Sequence, residues 1–66
     1  GKFQNILKSL RATKGLTQDE LSKQLNISRS TIGMYEKGAG NPFETLELIA
    51  DYFNVDTDYL WDELQK

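Results

Sequence analysis

Apolar side chains recur at Phe3, Ile6, Leu7 and Leu10, the three-and-four spacing that lines one stripe of an α-helix. The pattern predicts a first helix over about residues 2–14. Lys14 in its last turn suits the helix dipole, and Gly15 can take the left-handed conformation that stops it. Thr17-Gln18-Asp19-Glu20 reads as a capping box, in which the Thr17 hydroxyl caps free N–H groups and Glu20 reaches back. Leu21 and Leu25 line the inner face of this second helix, and Asn26 ends it. Ile27 is expected to be buried, and Ser28 is the next N-cap. A third helix then spans residues 29–37 and stops at Gly38, with Ala39-Gly40 as a flexible connection. Asn41 as N-cap, Pro42 at the first helical position and Glu44 two further on open a fourth helix. Its stripe is Leu46, Ile49, Ala50 and Phe53, and Asn54 ends it. Val55 packs, and Asp56 caps a last helix over about residues 57–64.

These elements predict an all-α chain of five short helices forming one domain over residues 1–66, without internal repeat or linker. The second and third helices are separated by about three residues, the length of the turn in a helix-turn-helix unit, placed here at about residues 17–37.

Composition narrows how such a chain holds together. Domains near this size often need a disulfide or a metal, and there is no Cys or His among the 66 residues. Disulfides, thiolate chemistry and the usual zinc ligands are excluded, so no metal or other cofactor is expected, and no small-molecule ligand is evident. Stability must come from an apolar core, from helix caps or from a partner subunit. The apolar runs are far shorter than the roughly 20 residues of a membrane span, so no membrane partner is expected, and the lack of Cys is compatible with the cytoplasm.

A net charge of −2 argues at first against a nucleic-acid partner, but its distribution points the other way. Residues 1–38 carry seven Lys and Arg against three Asp and Glu, a net +4; residues 39–66 carry one against seven, a net −6. A basic half can meet phosphates while an acidic half faces away. Charge alone leaves the question open.

The third helix is more informative. At about 100° per residue, Arg29, Ser30, Gly33, Met34 and Lys37 fall on one arc, and Thr31, Ile32, Tyr35 and Glu36 on the other. The second arc, β-branched and aromatic, must face the core. The first suits a DNA major groove: Arg can bond guanine O6 and N7 together, Ser can reach a base or phosphate, and Met can touch a thymine methyl. Gly33 would let the backbone approach the bases, although Gly costs a helix roughly 1 kcal/mol against Ala. The alternative is an ordinary solvated face. Glu36 is the misfit, since a carboxylate on the inner arc needs a partner. Arg11 on the first helix is the expected one, in a partly buried bidentate pair, unless Glu36 leans out to solvent near the helix end.

An enzyme is the weakest alternative, because no hydroxyl has an adjacent base. Asp56-x-Asp58 with Asp62 lacks the Gly and the closing Glu of a calcium loop. Gly38-Ala39-Gly40 lacks the Gly-Lys-Ser/Thr ending of a phosphate-binding loop.

The runs Gly15-Leu16-Thr17-Gln18-Asp19-Glu20-Leu21, Leu25-Asn26-Ile27-Ser28-Arg29-Ser30-Thr31-Ile32 and Tyr35-Glu36-Lys37-Gly38 resemble the Cro and phage-repressor helix-turn-helix family. Pro42-Phe43-Glu44-Thr45-Leu46, Ile49-Ala50-Asp51-Tyr52-Phe53-Asn54-Val55 and Asp58-Tyr59-Leu60 resemble the same family's closing helices. The resemblance implies the five-helix, lambda-repressor-like fold and a sequence-specific regulator of transcription, a phage or bacterial repressor bound to a double-stranded DNA operator in the cytoplasm or nucleoid. It places Arg29, Ser30 and Met34 at base-reading positions, with Gly33 between them. Thr17, Gln18, Ser28, Thr31, Lys37 and Asn41 fall at phosphate or sugar contacts, and Arg11 and Glu36 at a buried ion pair. A homodimer on half-sites about one helical turn apart is expected, with Tyr59, Trp61 and Leu64 as candidates for its surface; core packing is the other reading of these three. Because the sequence opens on Gly1, it is compatible with the N-terminal domain of a longer repressor. The rival reading is a protein-interaction module of the same fold, an antitoxin or the target of an antirepressor protein.

Overall fold

The computed structural model describes residues 2–65. Among them lie five α-helices and no strand: α1 (Phe3–Thr13), α2 (Gln18–Leu25), α3 (Arg29–Glu36), α4 (Leu46–Phe53) and α5 (Thr57–Gln65). None is long and apolar enough to cross a membrane.

Four of the five helices end by one device. After α1, Gly15 takes φ +68° and the Leu16 N–H donates to the Arg11 carbonyl at 3.1 Å. After α2, Asn26 takes φ +56° and Ile27 donates to Ser22 at 3.0 Å. Gly38 and Asn54 do the same after α3 and α4, with Ala39 donating to Met34 (2.9 Å) and Val55 to Ala50 (3.0 Å). Each left-handed residue lets the next N–H reach back five residues, which satisfies a carbonyl the helix leaves open. All four residues so placed are apolar, and three of them, Leu16, Ile27 and Val55, pack against the core. Stop and anchor are one dipeptide. Ile27 is only partly buried, less than its sequence position predicts.

The fourth helix departs from expectation at its start. Pro42–Thr45 form a 3-10 helix, and the α-helix begins only at Leu46. The Asn41 side chain caps Phe43 N–H at 3.2 Å. The Thr45 hydroxyl lies 3.2 Å from the Pro42 carbonyl and 3.1 Å from the Tyr35 hydroxyl. These bonds favour the tighter turn, whose carbonyls are met three residues on, and tie it to α3.

The core draws on every helix. Phe3 and Leu7 of α1, Leu21 and Leu25 of α2, Ile32 and Tyr35 of α3, Leu46, Ile49, Ala50 and Phe53 of α4, and Leu60 of α5 are all buried. On α1 the predicted stripe splits, with Ile6 and Leu10 at the core's edge. α3 is held from both sides, packed against α2 and α1, so its outer face is fixed by the core beneath it.

Candidate nucleic-acid interface

α2 and α3 both begin on capped turns. At α2 the Glu20 N–H donates to the Thr17 hydroxyl (3.1 Å) and the Thr17 N–H to the Glu20 carboxylate (2.9 Å). Those bonds hold the Glu20 carboxyl below the ordinary glutamate range. At α3 the Thr31 N–H donates to the Ser28 hydroxyl at 3.1 Å, and the two hydroxyls share a hydrogen bond of 2.7 Å. Both helix starts are therefore ordered before anything binds them.

The two arcs of α3 separate as their chemistry demands. Ile32, Tyr35 and Glu36 are buried; Arg29, Ser30, Met34 and Lys37 are exposed, Met34 by 46%. Gly33 and Thr31 are half-buried between them. A side chain on Gly33 would meet little, since its Cβ would lie 3.9 Å from the Gln18 amide oxygen. Packing inside the protein does not demand a glycine at this position.

Glu36, 4% exposed, accepts from three nitrogens of two side chains. Arg11 Nε donates to Oε2 at 2.7 Å, the second Arg11 donor to Oε1 at 3.0 Å, and Gln18 Nε2 also to Oε1 at 3.0 Å. The remaining Arg11 terminal nitrogen donates to the Leu16 carbonyl at 2.9 Å. The carboxylate thus ties α1, α2 and α3 together, and Arg11 adds the turn after α1. Burial pushes its pKa up, but the bonds from Arg11 and Gln18, with the charges of Arg11 and Lys8, outweigh that and hold it below the usual range. The Gln18 contact was not legible in the sequence, where the resemblance places Gln18 only at a phosphate contact.

The free charge on this side is positive. Among the described residues, Arg29 and Lys37 enter no ion pair, whereas Lys23 meets Asp19 at 3.4 Å in an exposed pair along α2. The helix-turn-helix family profile of Cro/C1 type, HTH_3, matches residues 7–60, from inside α1 to inside α5. The chain belongs to this family. It is a helix-turn-helix domain of the kind found in DNA-binding transcriptional regulators.

This helix-turn-helix domain is 42% identical over 60 residues to the transcriptional activator BcrR of Enterococcus faecalis, a match covering 89% of the chain and 29% of the relative. It is 38% identical over 63 residues to the regulator ImmR of Bacillus subtilis (91% and 50%). With the phage CTXphi transcriptional repressor RstR of Vibrio cholerae it shares 32% over 54 residues (80% and 49%). The chain thus spans half or less of the length of these three relatives. No solved structure gave a significant match.

The helix-turn-helix domain places its remaining candidates unevenly. Thr17, Ser28 and Asn41 are exposed, each with its side-chain oxygen already serving as a cap. Gln18 is half-buried against Glu36. Of the residues read as a possible dimer surface, Leu64 is partly buried against the core, while Tyr59 and Trp61 are 51% and 47% exposed. Trp61 stands edge-on to Phe43, ring centroids 4.7 Å apart. Nothing in the residue pattern pointed to that pairing.

Proposed function

We propose that this chain is the operator-reading domain of a repressor, with α3 laid in the major groove. The observation that carries this reading is the outer face of α3, where a guanidinium in no ion pair among the described residues, a hydroxyl and a thioether stand exposed beside the bare backbone of Gly33. In the proposed complex Arg29, Ser30 and Met34 meet base edges and Gly33 lets the groove come close. Thr17, Gln18, Ser28, Thr31, Lys37 and Asn41 meet the backbone on either side, where contacts position the protein without reading sequence. Two copies on half-sites one helical turn apart would read a two-fold operator. RstR is named as a phage repressor, which supports repression, and BcrR as an activator.

Gly33→Ala separates the DNA role from stability. The added methyl fits beside Gln18 and should stabilise α3 by about 0.5–1 kcal/mol, read as a higher midpoint in urea. Operator affinity should fall in the same variant. Unchanged affinity would remove Gly33 from the interface.

Lys37→Ala tests the phosphate role. Affinity for all duplexes should fall alike, and the slope of log affinity against log salt should become shallower by about 1. An unchanged slope in a titration of a labelled duplex would place Lys37 away from the backbone.

A further inference from the structure

The face carried by α5 and the 3-10 turn is made of aromatic rings and carboxylates. Phe43 and Trp61 stand edge-on to each other, 40% and 47% exposed. Asp58 lies one turn before Trp61 on α5 and Asp62 directly after it, while Glu44 follows Phe43; all three are exposed. Residues 38–65 contain no Lys or Arg at all. Among the described residues, none of these three carboxylates enters an ion pair.

Half-exposed Trp and Phe side chains offer a large apolar area with little rotamer entropy to lose, the usual make-up of an interface anchor. The charge around them decides the occupant. Nucleic acid and anionic membranes are repelled. A second copy docked through this face about a two-fold axis would set each carboxylate rim against its own kind, because such an interface is self-complementary, and like charges across an interface are costly.

We propose that the Phe43–Trp61 pair, rimmed by Asp58, Asp62 and Glu44, docks a basic amphipathic segment of a protein partner, with its apolar side on the rings and its Lys or Arg on the carboxylates. None of these five residues is among those assigned above to DNA contacts, so one domain can hold partner and DNA together. The proposal does not depend on operator reading.

Trp61 is the single tryptophan of the chain, so its emission reports on this face alone. The probe is a short Leu/Lys amphipathic helical peptide, with a Leu/Glu peptide of the same pattern as control. The Lys peptide should shift Trp61 emission to the blue in a saturable titration, and the Glu peptide should not. Asp58→Asn combined with Asp62→Asn should weaken the Lys peptide about tenfold, as added salt should, while duplex binding measured separately stays unchanged. Equal peptide affinity in the double variant, or no saturable shift, overturns the proposal. So does a blue shift of the protein alone that grows with concentration alongside dimer formation in sedimentation, which would make the occupant a second copy.

Discussion

Arg11→Ala is expected to destabilise the domain by about 3–5 kcal/mol, the usual cost of stranding one member of a buried ion pair. Glu36 would keep only the Gln18 amide, at 3.0 Å, in a site where it is 4% exposed. A domain of this length holds roughly 3–10 kcal/mol in all, at about 0.05–0.15 kcal/mol per residue, so the variant should be largely unfolded at moderate urea. Glu36→Ala should fall toward the lower end of the same range, because the Arg11 side chain is 22% exposed and can turn toward water. The deficit of Arg11→Ala also depends on pH. In the wild type the Glu36 pKa is depressed by folding, so its contribution is present above the ordinary glutamate pKa of about 4.3 and is lost as the pH falls through the lower folded value. Arg11 supplies much of that depression, so the deficit of Arg11→Ala against wild type should narrow as the pH falls. Urea midpoints at neutral and acid pH check both statements. A shift within 0.5 kcal/mol at neutral pH, about what an exposed surface substitution gives, would show that the pair does not brace α3.

Arg29→Ala should leave the fold intact and weaken operator binding by about 1–3 kcal/mol, with relaxed preference at a single base position. Arg29 is exposed in the first turn of α3 and enters no ion pair among the described residues, so its removal takes nothing from the protein's own contacts. The loss should appear against the cognate base and shrink against the other three. A purely electrostatic Arg29 would weaken every sequence equally and change the salt slope instead. The contrast with Lys37→Ala, at the other end of the same helix, separates a residue that reads from one that anchors.

Much of this architecture was legible from the residues alone because the signals are local. Gly15, Asn26, Gly38 and Asn54 mark the helix stops, since few other residues tolerate positive φ. The inner arc of α3 could be read because Ile32 and Tyr35 have no other place to go. Where two local geometries satisfy the same residues, the sequence was ambiguous. Asn41-Pro42-Phe43-Glu44 suits the start of an α-helix, yet the Thr45 bonds to Pro42 and Tyr35 draw it into a 3-10 turn. Contacts that depend on how helices pack were hidden. Gln18 reaches Glu36 only because α2 and α3 lie against each other. Glu63 is buried although it belongs to the acidic half, and Phe43 meets Trp61 from 18 residues away.

The most direct test of α3 as the reading element is selection from a random duplex library, run in parallel with wild-type and Arg29→Ala protein. The wild type is expected to enrich a two-fold symmetric site, and Arg29→Ala to recover the same site with preference lost at one position in each half. Enrichment of no common sequence by the wild type, or of an identical site by both proteins, would contradict a base-reading role for this helix.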